Sequence, residues 1–89
     1  MAHTEFEDEA PSGNVVTDYD IAHAALYIRL MDAEAAGQGW KTIASQVFGL
    51  DVERDPDRAQ RVVESHLARA LWMRDEGYKG LLRGRPETP

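Results

Sequence analysis

The sequence predicts an all-α fold: a small three-helix variant of the helix-turn-helix with an extended turn and a disordered acidic N-terminal arm. Three segments place apolar residues at three- and four-residue steps. Capping residues, glycines and a proline mark the ends of these segments, and no segment alternates as a strand would. We expect the domain to span residues 17–83, between an arm of residues 1–16 and a frayed tail of residues 84–89.

Charge is distributed unevenly along the chain. The 89 residues hold 16 acids and 10 bases, which gives a formal net charge of −6. Residues 1–20 hold six of the acids and no base, whereas residues 21–89 hold ten of each. Residues 1–16 also contain the run Pro11-Ser12-Gly13-Asn14 and lack a sustained apolar period. They are therefore predicted to be a mobile acidic arm on a neutral body.

The first predicted helix begins near Thr17, whose hydroxyl can accept hydrogen bonds from the free N–H groups of a first turn. It ends before Gly37, a residue type that commonly stops helices. Its apolar positions predict one buried stripe, with Leu26, Tyr27 and Leu30 beside it. The stripe consists of Ile21, Ala24, Ala25, Ile28, Met31 and Ala35.

Two further helices are predicted. A short one covers Trp40–Phe48, and its predicted apolar face is Trp40, Ile43, Ala44, Val47 and Phe48. A long one begins where Asp55 is followed by Pro56, since a carboxylate cap and a proline at the first helical position favour a helix start. It runs to about Glu76, before Gly77. Its predicted buried stripe is Ala59, Val62, Val63, His66, Leu67, Ala70 and Leu71.

A short helix, a connector from about Gly49 to Asp55 and a long helix form the arrangement of a helix-turn-helix. The long helix then occupies the recognition position, and the connector is longer than the usual turn. A plain three-helix bundle without a reading function is the alternative.

The residue pattern does not favour an enzyme, and no metal or cofactor is expected. The chain has no Cys, and its three histidines do not show the spacing of metal ligands. Thr42, Ser45 and Ser65 have no evident base within a helical turn that would make them nucleophiles. No apolar run is long enough to span a membrane, and the N-terminus does not resemble a signal peptide. We therefore expect a cytoplasmic protein.

Charge argues against DNA binding by the predicted helix-turn-helix. Proteins that bind DNA in this way carry clustered Lys and Arg near the recognition helix. Here the connector and the helix start offer only Arg54, Arg58 and Arg61, and the remaining basic patch is the tail with Lys79, Arg83 and Arg85. We predict an acidic face that opposes DNA binding, formed by Asp51, Glu53, Asp55 and Asp57.

Several large apolar side chains lie outside the predicted buried stripes. Large exposed aromatic residues are typical anchors of protein interfaces. We predict a partner-binding surface that includes Trp72, Tyr27, Leu30 and Tyr78. The alternative is that the first helix and the tail cover these side chains.

Six short segments carry a resemblance to a known family. They are Tyr19–His23, Gly39-Trp40, Ile43-Ala44, Phe48-Gly49, Arg69–Leu71 and Gly77–Leu82. Through them the chain resembles, over residues 18–83, a family first catalogued as a domain of unknown function on proteobacterial integrative and conjugative elements. Members have a helix-turn-helix with an extended turn and occur in transcriptional activators of element transfer and as stand-alone QseM-type antiactivators.

The resemblance implies an antiactivator, because the stand-alone members are acidic where the activators carry a basic DNA-binding face. Such a protein would bind a transcriptional activator, compete for its partner domain and block conjugative transfer genes. It would contact no nucleic acid and no membrane. A LuxR-type quorum-sensing receptor is a second partner that the resemblance suggests. The alternative is a small DNA-binding helix-turn-helix regulator that reads operator DNA through Arg58, Arg61 and the basic tail.

Overall fold

The computed structural model describes residues 6–77, and every regular element in that range is a helix. This confirms the predicted all-α fold. The helices are α1 (Asp18–Ala22), α2 (Ala24–Ala35), α3 (Trp40–Gln46) and α4 (Pro56–Trp72), and a π-helical turn (Met73–Gly77) continues α4. None of the helices in residues 6–77 combines the length and apolarity needed to cross a membrane.

The first predicted helix is two helices in the structure. Thr17 caps α1 as predicted, because its hydroxyl accepts a hydrogen bond from the Asp20 N–H while the Asp20 carboxylate accepts one from the Thr17 N–H. The backbone leaves the helical conformation at His23, with φ −111° and ψ 19°. The His23 ring donates from Nδ1 to the Tyr19 carbonyl over 2.8 Å. Helix α1 therefore ends after only five residues, and α2 begins at Ala24.

The buried face of α2 is not the predicted one. Leu26, Tyr27 and Leu30 are buried, whereas Ile21 and Ile28 are 60% and 56% exposed. Three of the six residues in the predicted stripe are alanines, so each buried position there would remove less apolar area from water, on average, than Leu26, Tyr27 and Leu30 do. In addition, the Tyr27 hydroxyl donates to the buried Asp20 carboxylate over 2.8 Å. These two factors select the opposite face of the helix.

The core forms where α2 and α3 pack on α4. The predicted faces of α3 and of the first half of α4 are confirmed. Leu67 and Leu71 are only half-buried, however, and Arg69 is buried in their place. The buried apolar residues are Leu26, Tyr27, Leu30, Ile43, Ala44, Val47, Phe48, Ala59, Val62, Val63 and Ala70.

The extended connector between α3 and α4 is ordered by its own side chains. Gly49 adopts a positive φ of 70°, which favours glycine, and lets the chain turn out of α3. The Asp51 carboxylate accepts hydrogen bonds from the N–H groups of Glu53 and Arg54, at 3.1 and 3.2 Å. Asp55 then caps α4 by accepting from the Arg58 N–H. The predicted start of α4 at Asp55-Pro56 is confirmed.

The N-terminal arm has no regular secondary structure over residues 6–16, but it lies against the helices. The Phe6 ring packs edge-on against Phe48, with 4.8 Å between ring centroids. The Ala10 N–H donates to the Ser65 hydroxyl over 3.1 Å. These contacts were not predicted, because the composition of the arm gives its charge but does not indicate which helical residues it packs against. Residues 1–5 and the predicted tail lie outside the described residues.

Candidate nucleic-acid interface

The unit formed by α3, the connector and α4 leaves two polar surfaces facing solvent. The first is on α3, whose apolar side enters the core while Lys41, Thr42, Ser45 and Gln46 are exposed. These four side chains line an open groove of about 790 Å³, and Asp51 and Glu53 of the connector line it as well. The α3 side of the groove thus offers one cation and three hydrogen-bonding side chains.

The second polar surface runs along α4. Five residues at three- and four-residue steps share one side of this helix, away from the core, and we call this side the outer face of α4. Arg61 is exposed at its N-terminal end, and Trp72 is half-buried at its C-terminal end. The outer face consists of Arg58, Arg61, Ser65, Ala68 and Trp72.

The four acids that were predicted to oppose DNA binding are all exposed. Two of them have structural roles, since Asp51 orders the connector and Asp55 caps α4. Glu53 and Asp57 make no such side-chain bond within the described part of the chain. Part of the acidic character of this region is therefore explained by the connector geometry and by helix capping, without reference to a ligand.

The N-terminal arm follows the outer face of α4. Asp8 forms an ion pair with Arg58, with 2.9 Å between Oδ1 and Nε. The Ala10 N–H bonds to Ser65 two turns further along the helix. Residues 9–13 then line one side of a groove of about 420 Å³ whose other side includes Ala68 and Trp72. The arm and α4 therefore run in the same direction.

Arg69 holds the C-terminal end of the arm. Its guanidinium binds the Asp20 carboxylate twice, from Nε to Oδ1 at 2.9 Å and from Nη2 to Oδ2 at 2.7 Å. It also donates to the carbonyls of Gly13 and Val15, each at 2.7 Å. The same guanidinium lies over the Trp72 ring, 4.0 Å from its centroid. With 4% of its surface exposed, Arg69 is not accessible to a phosphate.

The Arg69–Asp20 pair is buried, and it keeps its charge. Burial by itself would raise the pKa of Asp20, but hydrogen bonds from Arg69, Thr17 and Tyr27 outweigh it and lower the pKa to about 2. Hydrogen bonding to this carboxylate raises the pKa of Arg69, and burial raises the pKa of Tyr27. The Asp20–Arg69 pair was not predicted from the sequence, because 49 positions separate the two residues.

His66 is a core residue, as its place in the apolar stripe predicts. It is fully buried and donates from Nδ1 to the Val62 carbonyl over 2.8 Å. Its Nε2 accepts from the Tyr19 hydroxyl over 2.6 Å. Burial lowers the pKa of His66, which favours the neutral ring. Within residues 6–77 no three His, Asp or Glu side chains are grouped so as to hold a metal ion.

The predicted partner-binding residues fall in different places. Tyr27 and Leu30 are 2% and 0% exposed, so both are core residues, which corrects their assignment to a docking surface. Trp72 lies on the outer face of α4, where a partner-binding role stays a prediction. Tyr78 lies outside the described residues, as does the basic tail with Lys79, Arg83 and Arg85.

A comparison with protein families identifies what this fold is similar to. Residues 2–83 match the family model RovC_DNA-bd, described as "T6SS, Transcription factor, DNA binding domain". No curated protein matches the chain. The match supports a role in transcription regulation and contradicts the prediction that the protein contacts no nucleic acid. That prediction rested on the resemblance and on the excess of acids near α4, of which Asp51 and Asp55 have structural roles. The resemblance to QseM-type antiactivators is not confirmed.

Proposed function

The chain belongs to this family of transcription-factor DNA-binding domains, and we propose that it is the DNA-contacting module of a transcription regulator. The family is one of DNA-binding domains and not of enzymes. The family match across the whole helix-turn-helix unit carries the proposal. In such units the second helix enters the major groove while the first helix crosses the phosphate backbone. In this protein we assign α4 to the major groove and α3 to the phosphate backbone.

The positions of the exposed cations agree with these roles of α3 and α4. Arg61 lies on the outer face of α4 and forms no ion pair within residues 6–77, so its guanidinium is free to read a base edge, most favourably a guanine. Arg54 on the connector and Lys41 on α3 are exposed and suited to phosphates. The hydroxyls of Thr42 and Ser45 add further donors to phosphate oxygens.

The acids near these cations limit the strength of binding. Glu53 and Asp57 reduce the attraction for phosphate, so we expect modest affinity with a shallow salt dependence. If Lys41 and Arg54 each neutralise one phosphate, the logarithm of the binding constant should fall with log salt with a slope of about −1.8. The proposed binding to DNA also agrees with the predicted cytoplasmic location.

A DNA titration with charge-matched variants tests the proposal. Duplexes selected from a random-sequence library are titrated with the protein and followed by fluorescence anisotropy. Arg61→Ala should weaken binding to the selected site by about 1–3 kcal/mol and relax the preference at one base pair. Arg29→Ala is the control, since Arg29 is exposed on α2, outside the α3–α4 unit, and the change in net charge is the same.

The two variants separate site-specific contacts from general charge effects. Equal losses for Arg61→Ala and Arg29→Ala would contradict reading by α4. If neither the wild type nor any variant binds DNA at micromolar concentration, the DNA-binding proposal fails as a whole. The antiactivator function implied by the resemblance is not proposed, because the family match favours DNA contact over sequestration of an activator.

A further inference from the structure

We propose that the acidic arm is an autoinhibitory strap, which is bound to the outer face of α4 at Arg58 and Ser65 and must leave it before DNA can bind there. This inference rests on the proposed DNA-binding function. It concerns residues 6–13, of which residues 8–13 lie along the same side of α4 that would enter the major groove.

The arm places a carboxylate where a phosphate would bind. Asp8 Oδ1 is 2.9 Å from Arg58 Nε, and the two side chains are 49% and 41% exposed. An arginine that is paired with a carboxylate contributes less to DNA affinity, because its positive charge is already neutralised before it meets a phosphate. Glu7 and Glu9 flank Asp8 and are exposed. The strap thus carries three adjacent negative charges along the proposed DNA-binding surface.

The arm also blocks α4 sterically. The backbone of Ala10 is bonded to Ser65, and residues 9–13 lie beside Ala68 and Trp72. A helix reads base edges only when its outward side chains reach the floor of the major groove. A peptide segment bonded to that side of the helix keeps the groove away from Ser65 and the residues around it.

The C-terminal end of the arm is attached more firmly than its N-terminal end. This difference allows the arm to leave α4 without unfolding of the domain. Its C-terminal end is fixed through two hydrogen bonds from the buried Arg69 guanidinium to Gly13 and Val15. Its N-terminal end is held by the exposed ion pair with Arg58, by the Phe6 ring and by two hydrogen bonds. An exposed ion pair of this kind shifts an equilibrium by no more than about fivefold.

Gly13 is placed at the pivot between the two ends. Its φ is +104°, a conformation that side-chain-bearing residues rarely adopt, and the space around its Cα is open. Residues before Gly13 can therefore swing away from α4 while Arg69 keeps the following residues in place. DNA and the strap would compete for Arg58 and for the surface around Ser65.

A reversible cross-link tests whether the closed strap excludes DNA. The chain contains no Cys, and the Ala10 N atom is 3.1 Å from the Ser65 Oγ atom, so Ala10→Cys with Ser65→Cys places two thiols within reach of a disulfide. The oxidised protein should bind the selected DNA at least about tenfold more weakly than the same protein after reduction. Equal affinity of the two forms would overturn the inference.

A charge-matched pair of variants provides an independent test. Asp8→Asn frees Arg58 and should tighten DNA binding by about two- to fivefold, with a salt slope steeper by about 0.9. Asp32→Asn removes the same charge from an exposed site on α2 and should change the affinity less than twofold. Equal gains from both variants would mean that only net charge matters, and would overturn the strap.

These experiments separate the two proposals. If the wild type, the reduced double-cysteine protein and Asp8→Asn all fail to bind DNA, the DNA-binding function is wrong and the strap inference falls with it. If they bind DNA and the disulfide has no effect, the function stands and the strap is wrong.

Discussion

The buried pair of Arg69 and Asp20 gives a sharp prediction about stability. Replacing Arg69 by Met keeps much of the length of the side chain and its apolar stem, but removes the guanidinium. Four hydrogen bonds are lost, two to the Asp20 carboxylate and one each to the carbonyls of Gly13 and Val15. Asp20 then remains fully buried, with donors only from Thr17 and Tyr27.

The magnitude follows from leaving a buried carboxylate without its cation. Removing one partner of a buried ion pair typically costs about 3–5 kcal/mol. A domain of this length has a total stability on the order of 4–13 kcal/mol. Arg69→Met should therefore remove a large part of the unfolding free energy, and it should also release the arm, because the carbonyls of Gly13 and Val15 lose their donor.

Urea unfolding followed by circular dichroism measures this loss, with two companion variants. Arg74→Met is the control: Arg74 pairs with Asp75 over 2.7 Å, but their side chains are 58% and 55% exposed, so little change is expected. The double variant Asp20→Asn with Arg69→Met should recover part of the loss, since no unpaired charge stays buried. A loss below about 1 kcal/mol for Arg69→Met, or a double variant that is no more stable than Arg69→Met alone, would refute the reasoning.

Two further predictions concern pH and the buried face of α2. Burial lowers the pKa of His66 below 6.5, so the unfolded chain takes up this proton first and stability should start to fall as the pH drops below 6.5. Burial would raise the pKa of Asp20, but its hydrogen bonds outweigh this and lower the pKa from 3.8 to about 2. Asp20 should therefore contribute about 2 kcal/mol to the free energy of unfolding, and this contribution should be lost as the pH falls from 3.8 to about 2. Urea titrations across this pH range check both steps, and a flat profile would contradict them. Leu30→Ala should cost about 2–5 kcal/mol, whereas Ile28→Ala should cost much less because Ile28 is half exposed; similar losses in thermal unfolding would show that the assigned face is wrong.

Several features of the fold could be predicted from the sequence because their causes are local. A helix cap acts over three residues, so Thr17 and Asp55 marked the starts of α1 and α4 correctly. The faces of α3 and of most of α4 were also predicted, since each helix presents only one continuous apolar side. Two cations of the candidate interface were also identified from the sequence, since Arg58 and Arg61 are the DNA contacts of the alternative function, a DNA-binding regulator.

Other features depended on parts of the chain that meet only in three dimensions. The segment of α2 has two sides that can be buried, and the choice between them is made by α4 and by the Tyr27–Asp20 hydrogen bond. Whether a charge is free or paired is likewise a matter of distance in space: Arg69 is internal because Asp20 is beside it, and Arg58 is neutralised because Asp8 reaches it. The sequence by itself determined the all-α fold, the starts of α1 and α4 at their caps and the inventory of charges. Only the tertiary structure decided which of these charges are paired, because the partners lie about 50 residues apart in the chain.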